Sequence, residues 1–375
     1  MINKKRLIRL TRKLVRINSE NPPGSEKKIA EFLKRYLQNL GIRVKIYEFK
    51  KGRSNLLAYL NCPGGKKSLL VTPHLDTVPA GRNWSVGSFS AAVKGDRIYG
   101  LGATDCKGNA AAAVEALNSI IEEKKVLEYN LIFAATADEE CGSLLGLVPL
   151  LKKGILHPDA AIVLDTDDFN IIVAQKGLLH IKVRIEGKRA HGAYPWRGAN
   201  AIDKAVDIIR QIRANKFSYR KNKYLRAPTV NTGTIHGGDK VNIVADWCEF
   251  ELDFRFLPGM PAERILKQVK GIIREHTKNY RLDLEALQRP YSISPAHPLV
   301  LHLADAMRKL KIEPVLTGSE GATTITFLQD AGIPAIATGF GSAQCAHASD
   351  EYVSIARLYK GAQVLEKFLA DYKFN

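Results

Sequence analysis

The sequence predicts an α/β protein: a mixed, largely parallel sheet covered by helices on both faces, interrupted by a smaller two-layer domain. Three observations carry this expectation. Short aliphatic runs such as "SLLVT", "NLIFAAT" and "AAIVLD" alternate with helical patterns, as strands buried on both faces do. After residue 176 the character changes to half-polar strands and amphipathic helices in the order β-α-β-β-α-β, the split-βαβ (ferredoxin-like) signature. From residue 288 the first pattern resumes. The predicted organisation is therefore one domain made of residues 1–176 and 288–375, with residues 177–287 inserted into it. Two domains suit 375 residues, because one core rarely grows past about 250–300.

The elements follow in order. "MINKKRLIRLTRKLVRI" is basic and amphipathic but lacks a continuous apolar core and a cleavage site, so it reads as a first helix rather than a targeting peptide. "SEKKIAEFLKRYLQNLG" spaces Ile29, Phe32, Leu33, Tyr36, Leu37 and Leu40 for a helix, with Ser25 as N-cap and Gly41 as stop. "IRVKIYEF", "NLLAYL" and "SLLVT" read as strands, then a helix over about 108–124, the strand "NLIFAAT", a short helix over 142–153 and the strand "AAIVLD". In the inserted segment "GLLHIKVRIEGK", "APTVNTGTI", "CEFELDFRF" and "YRLDLEAL" are strands, and "ANAIDKAVDIIRQIRAN" and "PAERILKQVKGIIREH" are helices. Helices over 298–310 and 321–332, the strand "PAIATG" and a helix from about 352 complete the chain.

Composition narrows the function classes. No apolar run approaches the roughly 20 residues that span a bilayer. The formal charge is +18, from 56 Lys and Arg against 38 Asp and Glu. The basic residues are scattered and no zinc finger or RNP-like motif accompanies them, so no nucleic-acid role is expected; a basic surface that attracts small anions fits better. Five cysteines (Cys62, Cys106, Cys141, Cys248, Cys345) with no C-x-x-C pair argue against a disulfide framework and a thiolate zinc site. A cytoplasmic location is expected.

Chemistry-bearing residues gather where the buried strands end. "LLVTPHLDTVPAG" runs from an apolar strand into His74 and Asp76, which share one side of the strand. Asp105 precedes an alanine-rich helix, Glu139 and Glu140 sit side by side in "TADEECG", Asp165 ends "AAIVLD", and His347 lies in "AHASDEY". Singly these have ordinary explanations: a solvated turn, a helix cap, a surface histidine. Strand ends of an open α/β sheet converge on one crevice, however. Two histidines and several carboxylates gathered there suit a divalent metal held by nitrogen and oxygen.

The motifs "HLDTVP", "GLGATDCKG", "DEE" and "AHASDEYV", in this order and with the inserted βαββαβ segment, resemble the M20 metallopeptidase family over nearly the whole chain. The resemblance implies a zinc-exopeptidase-like domain with a lid that dimerises. It implies two divalent ions per chain, zinc or in its place cobalt: His74 and Asp165 on one, Glu140 and His347 on the other, Asp105 on both. Asp165 stands where many members carry Glu, and Glu320 where Asp is frequent. By the same resemblance Asp76 orients His74, Glu139 is the general base acting on a water between the metals, and His191 in "EGKRAHGAYPW" stabilises the oxyanion. Asn242 and Arg255 match residues that bind the substrate's carboxylate. The implied activity is hydrolysis of the amide bond in a small, carboxylate-bearing N-acyl amino acid, by a homodimer. A dipeptidase or carboxypeptidase of the same family is the alternative, and a non-catalytic binding protein on the same scaffold the rival of another class. The intact base and ligand set speak against the latter.

Overall fold

The computed structural model describes residues 1–165, 168–342 and 344–374. It opens with α1 (Lys4–Val15), whose Leu7, Leu10, Leu14 and Val15 are buried on one face. In α2 (Lys27–Gln38) the capping residue is Glu26, not Ser25, and its side chain does not cap, because Arg53 holds the carboxylate. Gly41, at φ +77°, turns the chain out of the helix in a left-handed conformation that glycine adopts without strain.

Then follow β1 (Arg43–Glu48), β2 (Ser54–Leu60), β3 (Ser68–Pro73), β4 (Ala92–Lys94), β5 (Arg97–Tyr99), α3 (Lys107–Glu122), β6 (Asn130–Ala135), α4 (Leu147–Lys152), β7 (Ala160–Leu164) and β8 (Asn170–Gln175). Next come β9 (Gly177–Glu186), α5 (Ala201–Ala214), β10 (Thr229–Gly237), β11 (Trp247–Phe256), α6 (Ala262–His276), β12 (Tyr280–Gln288) and β13 (Tyr291–Ser292). The chain ends with α7 (Pro298–Lys309), β14 (Val315–Ser319), α8 (Ile325–Asp330), β15 (Ala335–Thr338), β16 (Tyr352–Ser354) and α9 (Ile355–Asp371).

The chain forms two compact units: residues 1–173, 293–317 and 323–375, and residues 174–292 with 318–322. In the first, the large sheet runs β1-β2-β6-β3-β7-β15-β8. Its centre is parallel, β3 pairing with β6 and β7, and β7 with β15, while β1, β2 and β8 pair antiparallel at the flanks. Every residue of β7 and β15 is buried, which explains their unbroken aliphatic runs. Helix α3 packs on α1 and α9 and is buried almost all round; its Ala110–Ala113 run lets neighbours approach closely. Burying each Leu or Ile of this core contributes roughly 1.5–3 kcal/mol.

In the second unit the sheet runs β10-β11-β9-β12, antiparallel throughout. Along β11, Cys248, Phe250, Leu252, Phe254 and Phe256 are buried, and the residues between them are not. That face joins Leu179, Ile181, Val183 and Ile185 of β9 with Ile208 and Ile212 of α5 and Val269 and Ile273 of α6 in one core.

Several expected helices contract. The helix over 142–153 reduces to α4, because Gly142 and Ser143 take left-handed backbone at φ +92° and +60°. The helix over 321–332 reduces to α8, and residues 352–354 form β16 before Ser354 caps α9. No described helix is long and apolar enough to cross a membrane.

Candidate active site

The site is built by hydrogen bonds that continue the sheet past its strands. Thr136 N–H donates to the Pro73 carbonyl (3.0 Å) and Leu75 N–H to the Thr136 carbonyl (2.7 Å), so the chains leaving β3 and β6 stay paired. His74 and the Glu139–Glu140 turn therefore emerge side by side. The Asp76 carboxylate then fastens that turn, accepting the N–H of Glu139 on Oδ1 and of Glu140 on Oδ2, each at 3.1 Å. Asp105 is held by Glu351, whose buried carboxylate accepts the N–H groups of Gly102, Thr104 and Asp105 at 3.0, 2.7 and 3.1 Å. Asp165 leaves β7 with its N–H on the Thr338 carbonyl (3.2 Å). His347 sits in the loop after β15 at φ +59°.

The side chains meet in two clusters that share one residue. His74 Nε2 lies 2.9 Å from Asp105 Oδ1 and 3.5 Å from Asp165 Oδ1. His347 Nε2 lies 3.1 Å from Asp105 Oδ2 and 3.2 Å from Glu140 Oε2. The two oxygens of Asp105 thus face opposite clusters. Sequence reasoning named all five residues, and the structure brings all five together.

This donor set fits metal ions. His74 Nδ1 is 3.0 Å from the main-chain oxygen of Asp76, which can only accept, so Nδ1 carries the proton. In the neutral ring the Nε2 lone pair then faces carboxylate oxygens with nothing between them, and only a proton or a cation relieves that. Glu140 Oε1 is buried without a hydrogen-bond partner. Zinc bonds of about 2.0–2.2 Å put neighbouring tetrahedral ligands roughly 3.3–3.6 Å apart, near the separations seen. Cys106 lies close to His74 and Asp105, but its sulfur is 3.2 Å from the His74 main-chain N–H, and burial pushes its thiol up to about 12. It remains a protonated neighbour rather than a thiolate.

The electrostatics say the same. Burial pushes the His74 pKa down, yet the carboxylates of Asp105, Asp165 and Asp76 outweigh it and hold the ring well above its ordinary value. Asp105 and Glu140 lift His347 to about 10. Burial, joined by Asp165, raises Glu139 well above the usual carboxylate range. The centre has an excess of negative charge that protons on its imidazoles and raised carboxyls must otherwise balance, and divalent cations answer that excess better.

The Asp76 carboxylate lies 3.6 Å from His74 Nδ1, farther than its main-chain oxygen, so its contact with the ring is mainly through the backbone. In the second unit, His191 is exposed, its Nδ1 accepting from Ala193 N–H (3.0 Å), and it bridges to Ile243 beside Asn242. Arg255 is engaged by Asp253 through Nε (2.9 Å) and Nη2 (3.2 Å). Glu320 accepts from buried Lys176 at 2.6 Å. Sequence reasoning missed Glu351, Asn21, Arg53 and Asp138, which hold the ligand-bearing loops; only their distant partners reveal them.

This fold and this donor set define a metal-dependent amide-bond hydrolase. The profile of Peptidase family M20/M25/M40 matches residues 70–371, and the chain belongs to that family. Acetylornithine deacetylase of Aliivibrio fischeri (strain MJ11) is 31% identical over 354 residues, covering 91% of this chain and 90% of that protein. A tripeptidase from Staphylococcus aureus has a TM-score of 0.81 at 26% identity over 99% of this chain and 98% of its own. The aminopeptidase PepT from Bacillus cereus, at 23% identity and TM-score 0.83 over 98% of each chain, shares the fold.

Proposed function

We propose that this chain is a di-zinc hydrolase that cleaves the amide bond of a small N-acyl amino acid, of the deacetylase or desuccinylase type. The observation that carries the reading is Asp105, with one carboxylate oxygen toward His74 and the other toward His347. His74, Asp105 and Asp165 would hold one ion, and Asp105, Glu140 and His347 the other. When bound, such ions supply Lewis-acid chemistry, lowering a water's pKa from 15.7 toward about 7 and drawing charge from a carbonyl.

The chain's own residues do the rest. Glu139 adjoins a ligand without belonging to either cluster, and Asp76 fixes its main chain, so it is placed to take the proton of the attacking water and return it to the leaving amine. His191 donates to the oxygen that gains charge in the tetrahedral state. Arg255 keeps Nη1 for a substrate carboxylate while Nε and Nη2 stay on Asp253, and Asn242 adds a neutral donor.

We place the inserted domain as the lid and dimer interface, supported by the exposed edge strand β10. The cytoplasm suits a chain whose described cysteines form no disulfide and whose Cys141 thiol is exposed. The deciding experiment assays metal-replete protein on N-acetylornithine, N-succinyl-diaminopimelate and simple di- and tripeptides side by side. Fastest turnover on an N-acyl amino acid is expected; fastest turnover on peptides would reassign it as a peptidase.

A further inference from the structure

We propose that Arg53 and Asn21 are positioning residues that hold the Glu139–Glu140 turn in register; this rests on the roles given to those glutamates above. The turn starts at Asp138, which sits in left-handed backbone at φ +66°. Such a conformation persists where surrounding bonds determine it, and here they converge on the Asp138 carboxylate. Its Oδ1 accepts from Arg53 Nη2 at 2.9 Å and from Asn21 Nδ2 at 3.3 Å, and its Oδ2 from Leu145 N–H at 2.9 Å. The Asn21 amide also donates to Asp76 Oδ2 at 2.8 Å, so one side chain ties together the two carboxylates that grip the turn.

Arg53 closes the network. Its Nε and Nη2 each reach Glu26 at 2.7 Å, while Nη2 also serves Asp138. The Gly24 main chain presses on the guanidinium: a Cβ there would stand 2.2 Å from Cζ. Glu26, Asp76, Asn21, Asp138 and Arg53 are all at most 5% exposed. Three buried carboxylates are thus kept together by one guanidinium and one amide, away from water that would otherwise separate them. Through Asp76 the network reaches the amides of both glutamates, and through Asp138 it sets the residue before them. Loss of either donor frees the turn to move base and ligand together, without removing any group that meets substrate.

The test separates positioning from folding. In Glu26→Gln/Arg53→Met, three carboxylates and one guanidinium become two carboxylates, so the net charge of the network stays at −2. In Asn21→Leu one donor is lost at similar volume. Folded variants are expected to keep KM within about twofold on the N-acetyl amino acid that the wild type hydrolyses best, with kcat lowered about 10- to 100-fold. In metal-free protein, amide hydrogen exchange at residues 139 and 140 should accelerate while β6 keeps its protection. If the double variant does not fold, Asn21→Leu decides. A folded variant with wild-type kcat and unchanged exchange at these amides overturns the proposal. Failure of the functional reading looks different: Glu139→Gln would then turn over normally, whereas the exchange result needs neither metal nor substrate.

Discussion

Glu139 and Glu140 show how neighbouring identical residues acquire different work. Both main-chain N–H groups are fixed on Asp76, yet only the Glu140 carboxylate meets His347. Glu139→Gln should keep its metal, measured by elemental analysis, and lose about 10²–10⁴-fold in kcat, as removal of a general base does. Glu140→Gln should instead lower metal affinity. Near-normal turnover of Glu139→Gln would remove it as the base. Asp105→Ala should disturb metal binding at both clusters, and His347→Ala mainly at one; equal losses in the two variants would contradict a shared Asp105. The donors were legible in the sequence because four of them end or follow a buried strand, Asp105 precedes an alanine-rich helix, and all five lie in or beside motifs that resemble one family. Asn21, Arg53 and Glu351 were not, because their partners Asp138 and Asp105 lie far along the chain. Periodicity and motif spacing say nothing about such contacts. Arg255 and Asp253 are two apart on the polar face of one strand, so an ion pair between such neighbours was legible, and the structure forms it.

Among the elements, long periodic helices and buried strands were readable from pattern, while β4, β5, β8, β13, β14 and β16 were not. Five of these six are only two to five residues long, too short to show a period, and β8 is an almost wholly buried run next to the change of domain. The contraction of the helix over 142–153 has a steric side as well. A Cβ on Gly146 would lie 1.8 Å from the Ala137 carbonyl oxygen, so the chain after the glutamate turn passes against the chain before it. Gly146→Ala must push backbone aside, and a loss of about 1–3 kcal/mol is expected, with reduced activity because residues 137–140 move. Gly271 is the opposite case. It lies exposed in α6, where an added Cβ meets nothing within 4 Å. Gly271→Ala should stabilise by about 0.5–1 kcal/mol through helix propensity and leave activity alone. Thermal unfolding of the two variants beside wild type checks both; stabilisation by Gly146→Ala would show that the turn is looser than the packing indicates.

At the scale of the molecule, metal and assembly are the two quantities that a single chain's contacts imply. Ions that bind only the folded site add RT ln(1 + [L]/Kd), about 2.7 kcal/mol at a hundredfold excess over Kd. Chelated protein should therefore melt lower and lose activity, with zinc or cobalt restoring both; full activity without metal would refute the dinuclear reading. Assembly turns on the open edge of β10. Among the described residues this nine-residue strand pairs only with β11, and its sequence TVNTGTIHG carries no Lys, Arg, Asp, Glu or Pro to discourage another strand. Its one blunting device is the register shift between Thr232 and Thr234. Ile235 is 45% exposed, and Val241, in the loop that follows, is fully exposed. Open edges of this kind invite strand pairing, and natural proteins cover or charge them. A two-fold partner that adds its own β10 would pair both edges at once, because a two-fold axis brings the same surface from each chain together. The wild type should therefore be a dimer by light scattering at micromolar concentration. Ile235→Lys with Val241→Lys places charges along the same edge without entering the core and should give monomers that keep their metal and their melting transition. A monomeric wild type would mean that the register shift protects the edge by itself; a double variant that stays dimeric would move the interface elsewhere on the inserted domain.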